Sequence, residues 1–167
     1  MLNGFEIRTT PYDHPDAVKL NDQVQLEYVQ RYEGDGDATP LDPAMFAPPN
    51  GTYLLVYDAA GVPVASGGWR AMDHNPLGHT DGDAELKRMY VVPEARGLGL
   101  ARLLLTELEA SARDAGRIRM ALETGDKQPE AIALYRSAGY TPCAKFGHYR
   151  DYDSSRCYAK TLGAERG

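Results

Sequence analysis

The feature that most constrains this chain is the stretch at residues 85–101, with the sequence ELKRMYVVPEARGLGLA. Residues 86–92 are rich in β-branched and aromatic side chains and end at Pro93, which predicts a strand. Leucine and alanine then recur at helical spacing over 98–108. The change from strand to helix therefore falls at 96–99. Two glycines there let the backbone approach a ligand closely, and the free N–H groups of the helix's first turn attract anions such as phosphate.

Composition limits the class of protein. The 167 residues, 43% of them hydrophobic, suffice for one domain with a core, so we expect a single domain over 1–167. A net charge of −6 argues against nucleic-acid partners and against a polybasic membrane surface. Without a long apolar run or a signal-like N-terminus, we expect no membrane partner and a cytoplasmic protein. Cys143 and Cys157 are expected to be reduced core thiols.

Local patterns predict the order of the elements along the chain. The predicted elements are a strand at 5–8, a helix at 16–31, a helical turn after Asp42, hairpin strands at 52–57 and 62–69, the strand and helix already described, a strand at 118–123, a helix at 128–137, and closing strands at 140–149 and 156–162. This order predicts a mixed α/β (α+β) domain with a mostly antiparallel central sheet flanked by helices.

Three weaker patterns carry no function of their own. The acidic residues at 33–37 match only part of a calcium loop, and we expect a solvated, mobile surface segment there. His74 and His79 lie among aspartates, but no helix or strand fixes them for a metal, so we expect no metal. Ser66 lacks the glycine before a nucleophile elbow and is expected to be an ordinary strand residue.

Two motifs resemble one known family. Residues 96–101, RGLGLA, resemble the R/Q-x-x-G-x-G/A signature of the GNAT superfamily of acetyl-CoA-dependent N-acetyltransferases, and 89–94 are similar to the strand that precedes it. Residues 128–140, QPEAIALYRSAGY, resemble the family's later N-x-x-A-x-x-L-Y-x-x-x-G-F/Y segment at matching spacing. The two motifs together are far more specific than either alone. The resemblance implies an acyltransferase with a GNAT-like fold, whose sheet is splayed at the coenzyme-binding strand.

The resemblance also implies where acetyl-CoA, the co-substrate, would bind. Backbone groups of Met89 and Val91, on either side of Tyr90, would pair with the pantetheine arm as an added strand does. Gln128 stands where the family often has asparagine, and its longer side chain could still supply an amide contact. The pyrophosphate would lie against Arg96, Gly97, Leu98, Gly99, Leu100 and Ala101.

Two residues are implied to take part in the chemistry. Tyr135 matches the family tyrosine that faces the coenzyme sulfur, where a protonated hydroxyl can donate to the departing thiolate. Glu85 matches the position where many members hold a carboxylate that accepts the amine's proton directly or through water. The alternative for Glu85 is a simple ion pair with Lys87 or Arg88, and the alternative for Tyr135 is packing in the core.

The acceptor site is less clearly marked. In this fold its groove would be walled by 32–47, by the strand carrying Lys87 and Arg88, and by 146–155. Those two basic residues alternate along an ideal strand, so one of them would face the groove and hold a substrate carboxylate. Tyr149 or His148 would close the other side, unless all of these are plain surface residues. We expect a small polar primary amine, such as an amino acid, as the partner of a monomer or homodimer.

Two other classes compete with this reading. A dinucleotide-binding Rossmann unit would use the same glycines, but Arg102 occupies the third glycine position and the turn lies late in the chain. A non-catalytic acyl-CoA sensor could be built on the same fold, because fold and cofactor do not guarantee turnover. Acetyl transfer to a panel of amines separates the sensor from the enzyme.

Overall fold

The structure is a computed structural model that describes residues 4–32 and 36–163. The elements in chain order are β1 (Glu6–Thr9), α1 (Pro15–Arg31), a 3₁₀ turn (Pro43–Phe46), β2 (Gly51–Tyr57), β3 (Pro63–Met72), β4 (Asp83–Val91), a second 3₁₀ turn (Pro93–Ala95), α2 (Leu100–Asp114), β5 (Arg119–Gly125), α3 (Pro129–Ser137), β6 (Thr141–Pro142) and β7 (Ser155–Thr161). None of the helices in these two ranges combines the length and apolarity needed to span a bilayer.

All the described strands form one sheet in the order β1-β2-β3-β4-β5-β7-β6. Neighbours are antiparallel, except that β4 and β5 run parallel. Their pairing covers just Asp83–Glu85 opposite Arg119–Ala121, although β4 continues to Val91 and β5 to Gly125. The two strands therefore diverge after Glu85 and Ala121. The predicted mixed α/β fold with a splayed, mostly antiparallel sheet is confirmed.

The two long helices cover opposite faces of the sheet. The Tyr53 hydroxyl lies 3.3 Å from Oδ1 of Asn21 on α1, whereas Nε1 of Trp69 donates to Oγ of Ser111 on α2 at 2.6 Å. Thr52 is the partner of Trp69 across β2 and β3, so Trp69 and Tyr53 point to opposite sides. Each helix packs a buried apolar stripe against the sheet: Ala17, Leu20 and Val24 on α1, and Leu100, Leu104, Leu105, Leu108 and Ala112 on α2. Leu98, which the helical spacing included, precedes α2 and is exposed.

A β-bulge interrupts β4 just beyond the splay, the gap that opens between β4 and β5 after Glu85 and Ala121. Ser66 is opposite Tyr90 and Gly68 is opposite Lys87, so one residue of β4 is extra relative to β3. The bulge includes Arg88, whose φ of 60° lies in the left-handed region. Because the bulge breaks the alternation of side chains, Lys87 and Arg88 both reach Asp37 on the α1 side of the sheet. The predicted alternation of these two side chains is therefore wrong, whereas contact of either one with a substrate stays a prediction.

The predicted closing hairpin is also partly wrong. The first of its strands is β6, which spans two residues, and not 140–149. The chain then leaves the sheet: Gly147 adopts a left-handed φ of 87° and its N–H donates to the Leu77 carbonyl at 2.9 Å. Phe146 packs, fully buried, against Ala121 and Cys157. Packing of Phe146 onto the face of the sheet is more favourable than extending the predicted strand. Residues 143–154 therefore form a segment that covers the α1 face, which we call the covering segment.

Candidate active site

The glycine turn has the form predicted for an anion site. Gly97 and Gly99 have φ values of 84° and 82°, which side chains with a β-carbon rarely adopt. Gly99 is the N-cap of α2, and a glycine supplies no side-chain oxygen to the first-turn N–H groups. Residues 96–99 are all exposed. The turn therefore presents free backbone donors to solvent at the positive end of a helix, where a pyrophosphate could bind.

Arg96 does not point into open solvent beside this turn. Its Nε donates to the Val91 carbonyl at 2.8 Å, and its Nη2 pairs with Glu27 of α1. Its guanidinium carbon also lies 5.7 Å from the centroid of the Tyr90 ring. Arg96 thus joins α1 to the end of β4, and contact with a coenzyme would require this half-exposed side chain to exchange partners.

The splay leaves one edge of β4 without a strand partner. Residues 86–91, including Met89, Tyr90 and Val91, lie beyond the last β4–β5 pair, while their other edge is paired with β3. Backbone groups on such an edge can pair with an extended, peptide-like ligand. The sulfur of Met89 sits against Gly67, where a β-carbon would lie 2.4 Å from it. This contact packs β4 closely against β3, on the side opposite the free edge of β4.

Tyr135 lies on α3, the helix that follows β5. It is buried and packs edge-on against Tyr140, with ring centroids 5.8 Å apart. Burial, with a smaller contribution from Tyr28, raises the pKa of Tyr135, so its hydroxyl keeps its proton. Among the described residues, that hydroxyl takes part in no hydrogen bond, and its oxygen is not fully buried although the residue is. A protonated hydroxyl without a protein partner can serve as a proton donor.

Gln128 is the N-cap residue of α3, but its side chain makes no capping hydrogen bond. The adjacent Lys127 N–H donates to the Tyr32 hydroxyl at 2.8 Å, which joins this loop to the end of α1. The amide of Gln128 is half-buried beside the same ring. Its contact with a coenzyme stays a prediction.

Glu85 is locked into a buried ion cluster. Its Oε1 accepts from Nε of Arg70 at 2.8 Å, and its Oε2 lies 3.1 Å from Nε2 of His79. Burial raises the pKa of Glu85, but the hydrogen bond from His79 and the charges of Lys87 and Arg70 outweigh burial and lower it to about 2. With 2% of its surface exposed, Glu85 is a poor direct proton acceptor. Its direct partners are Arg70 and His79, and not Lys87 or Arg88 as the alternative reading expected.

A second carboxylate, Glu123, lies beside this cluster and was missed from the sequence. Because Glu85 is opposite Ala121 in a parallel pair, Glu123 and Lys87 flank the splay on the same face of the sheet. Oε2 of Glu123 accepts from the Ser155 hydroxyl at 2.6 Å. Burial raises the pKa of Glu123, and the Ser155 hydrogen bond and the charge of Lys87 offset this only in part. A half-buried carboxylate with a raised pKa is a better base than an ordinary glutamate.

Gly147 keeps the space over these carboxylates open. A β-carbon at Gly147 would lie 3.2 Å from Oε1 of Glu123 and 3.9 Å from Oε2 of Glu85. The glycine also has the left-handed φ already noted, so a larger residue would both strain the turn and press on Glu123. The covering segment therefore reaches the carboxylates without filling the space next to Glu123.

Asp37 binds the two basic residues of β4. Its Oδ2 lies 3.0 Å from Nζ of Lys87 and 3.4 Å from Nε of Arg88. Burial raises the pKa of Asp37, but the charge of Lys87, the hydrogen bonds of Thr39 and the charge of Arg88 lower it far below its ordinary value. The expectation of a solvated loop is wrong for Asp37, while residues 33–35 lie outside the described residues.

Tyr149 joins the two segments that cover this face. The Ala38 N–H donates to its hydroxyl oxygen at 2.6 Å, and that hydroxyl donates to the Gly36 carbonyl at 3.3 Å. Its ring packs edge-on against His148 and Tyr152. The predicted groove walls, the segment after α1 and the segment before β7, therefore meet over β4 with Tyr149 between them.

His74 and His79, considered for a metal, are separated by the fold. His79 is buried against Glu85, whereas the His74 side chain is exposed and lies 3.5 Å from Asp81. No group of three or more metal-ligating side chains occurs in the described part of the chain.

The chain matches a family model for the acetyltransferase (GNAT) family over residues 18–140. The chain belongs to this family. The match includes the splayed strands, the glycine turn and the Tyr135 helix, and it identifies the protein as an acyltransferase enzyme.

Curated relatives agree with the family. The chain is 34% identical over 140 residues to the uncharacterized N-acetyltransferase YjgM of Escherichia coli, covering 80% of this chain and 79% of that protein. It is 30% identical over 128 residues to the uncharacterized N-acetyltransferase C1271.07c of Schizosaccharomyces pombe, covering 73% and 75%. A 47% identical match to the IAA acetyltransferase of Azospirillum brasilense spans 68 residues, or 41% of this chain and less than half, 44%, of that relative.

Solved structures share the fold. A Klebsiella pneumoniae structure assigned as an acyl-CoA N-acyltransferase has a TM-score of 0.76 at 28% identity and covers 95% of this chain and 98% of that chain. The yncA protein of Salmonella typhimurium, whose structure contains its cofactor acetyl-CoA, has a TM-score of 0.70 at 18% identity and covers 98% and 96%. At that identity the second likeness concerns the fold alone.

The ion cluster leads to a prediction about stability. Glu85→Gln should lower the free energy of unfolding at neutral pH by about 3–5 kcal/mol, because Arg70 is left buried without its counter-charge. The folded-state pKa of Glu85, about 2, lies below its ordinary 4.5. The stabilisation is therefore complete above the ordinary value and is lost as the pH falls through the folded value. Urea denaturation across this pH window should show the difference from wild type shrinking with acidity.

The matched control for Glu85→Gln is Glu6→Gln. Glu6 forms an exposed pair with Arg8, and such pairs contribute little to stability because solvent screens them. Equal losses in the two variants would contradict the structural role of the Glu85 cluster.

Proposed function

We propose that this enzyme transfers an acetyl group from acetyl-CoA to the primary amine of a small polar, carboxylate-bearing metabolite such as an amino acid. The observation that carries the proposal is the juxtaposition of Glu123 with the splay, on the same face as the basic residues of β4. A base beside a thioester site serves amine acetylation, and nearby cations favour an acceptor with a carboxylate. A cytoplasmic setting and a monomeric or dimeric state remain predictions from the sequence.

The coenzyme-binding residues keep the roles predicted for them. The turn at 96–99 and the first turn of α2, including Leu100 and Ala101, would bind the pyrophosphate through backbone N–H groups. The free edge of β4 at Met89 and Val91 would hold the pantetheine arm in the splay. When bound, acetyl-CoA supplies the thioester carbonyl that a neutral amine attacks.

Glu123 and Tyr135 would then carry out two proton transfers, one from the amine and one to the leaving thiolate. An acceptor amine is mostly protonated at neutral pH, and Glu123 would accept that proton directly or through a water. After the amine nitrogen bonds to the acetyl carbon, the carbon–sulfur bond breaks and the electron pair leaves on sulfur. The Tyr135 hydroxyl would donate its proton to that thiolate, and the second proton that the nitrogen loses as the amide forms would return through solvent to the tyrosinate. Glu85, for which the resemblance implies the base role, would instead hold Arg70 and His79 beneath the site.

Tyr135→Phe should lower kcat by about 10- to 100-fold, because the departing thiolate loses its donor while the ring and its packing remain. Acetyl-CoA affinity, measured by calorimetry, should stay close to wild type. An unchanged kcat under conditions where chemistry limits the rate would assign Tyr135 to packing alone.

Glu123→Gln should lower kcat/KM most strongly at low pH and less at high pH, where more of the acceptor is already neutral. In the wild type, the raised pKa of Glu123 should put the acidic limb of the kcat/KM profile above the ordinary value of 4.5. Steady-state rates across pH test both points. Glu107→Gln, at an exposed position on α2, is the control. A loss that is uniform across pH would remove Glu123 from proton transfer.

The acceptor class is tested by thiol release from acetyl-CoA with a panel of amines. Amino acids should turn over faster than their amides, polyamines, aminoglycosides, arylamines and peptides. Faster turnover of polyamines or peptides would overturn the acceptor class and leave acetyl transfer in place. Coenzyme binding without turnover of any amine would favour the sensor on the same fold.

A further inference from the structure

A cleft of about 410 Å³ lies between α1 and the segment that follows it. Val18, Asn21 and Gln25 line it from the helix, and Leu41 and Pro43 from the segment. Its volume lies within the range of small-ligand sites. The family motifs described above do not include any of these residues, so the cleft is separate from the coenzyme turn.

Arg88 lines this cleft and is incompletely satisfied. The residue is 7% exposed, and its buried Nε makes no hydrogen bond. Asp37 lies 3.4 Å from that nitrogen, outside hydrogen-bonding alignment, and uses its Oδ1 to accept from the Thr39 N–H at 2.9 Å. A buried guanidinium donor without an acceptor is costly, so a ligand oxygen beside Arg88 would be favourable.

Arg88 shares its carboxylate partner with a second cation. Lys87 donates to Oδ2 of Asp37 at 3.0 Å, and Nε of Arg88 lies 3.4 Å from the same oxygen without a hydrogen bond. The Arg88 side chain also donates to the Asp37 carbonyl at 3.4 Å, a contact that adds no counter-charge. Asp13 and Asp22, both exposed, lie on the rim of the cleft. An acidic rim disfavours a multiply charged phosphate and accepts a single carboxylate on a molecule that also carries an amine.

We infer that this cleft is the carboxylate subsite of the acceptor, with Arg88 as its anchor and Lys87 held away from the substrate by Asp37. The inference rests on the proposed function for the identity of the ligand. It assigns to Arg88 alone the role that the sequence left open between Arg88 and Lys87. Asp37 contacts both basic residues of β4 and also lines the cleft.

Binding of product-like probes tests the subsite without requiring turnover. N-acetyl-L-alanine and its amide differ in the carboxylate, and calorimetry gives the affinity of each for the wild-type protein. We expect the acid to bind about 10- to 100-fold tighter than the amide, the range of one charge-assisted hydrogen bond. Equal affinity for the two probes, or no binding of either, would overturn the inference.

Two substitutions locate the anchor. Arg88→Met should abolish the preference for the acid, whereas Lys87→Met should keep it. The reverse result would move the carboxylate to Lys87 and overturn the assignment to Arg88. Thermal unfolding is measured for both variants, since each removes one of the two cations that contact the buried Asp37 carboxylate.

A cleft-filling variant keeps the test valid if Arg88→Met does not fold. Val18→Trp places a large side chain at a position that lines the cleft and is 44% exposed. It should weaken binding of the acid by at least about 10-fold, because the ring occupies the ligand's space. Val29→Trp, at an equally exposed position of α1 outside the lining, should not. Equal effects of the two variants would overturn the inference.

The result is separable from the proposed function. Tight binding of the acid with no acetyl transfer to any amine would reject the proposed function and keep the carboxylate subsite. Acetyl transfer to amino acids with no effect of Arg88→Met or Val18→Trp would reject the subsite and keep the transfer.

Discussion

The limited pairing of β4 with β5 is the constraint on which the rest of the site depends. Parallel strands normally bond along their shared length, but here the pairing covers three positions and stops at Glu85 opposite Ala121. A continued ladder would leave no free backbone edge on β4 and no space between the strands. Because the strands separate, a peptide-like arm can add to β4, and side chains from both strands face one gap. The single parallel pair also marks the change in strand direction at which α/β sheets commonly bind ligands.

The two carboxylates beside the splay have different environments, and these divide their roles. Glu85 is surrounded by Arg70 and His79, so its pKa falls and its charge is permanent. Burial raises the pKa of Glu123, and its one hydroxyl donor, Ser155, and the more distant Lys87 offset this only in part. Groups whose pKa values are pushed in opposite directions are suited to opposite duties: Glu85 stabilises buried cations, and Glu123 can exchange a proton. Residue type and strand position alone do not reveal this difference.

Sequence reasoning succeeded where a property depends on neighbours along the chain. The glycine turn, the helix that begins at Gly99 and the cap at Asp42 follow from local rules, and the structure contains them close to the predicted positions. It failed where the outcome depends on distant partners. The bulge at Arg88 is a register shift against β3, and the burial of Asp37 requires residues 50 positions away. The covering segment replaced a predicted strand because Phe146 finds apolar contacts outside the sheet.

Glu123 was nevertheless within reach of sequence reasoning. It lies near the end of a strand predicted to precede the Tyr135 helix, and the carboxyl end of a strand at a change in direction is where catalytic side chains collect. The two segments that cover the site, the one after α1 and the one at 143–154, carry no comparable pattern in the sequence. They meet through the Tyr149 hydroxyl, and the Asp37 carboxylate joins one of them to β4, contacts between residues 111 and 50 positions apart. The proposed coenzyme-binding half of the site is therefore specified by local motifs, and the proposed acceptor half by long-range contacts. The covering segments can therefore vary in sequence while the strands still diverge, because the pairing of β4 with β5 involves none of their residues.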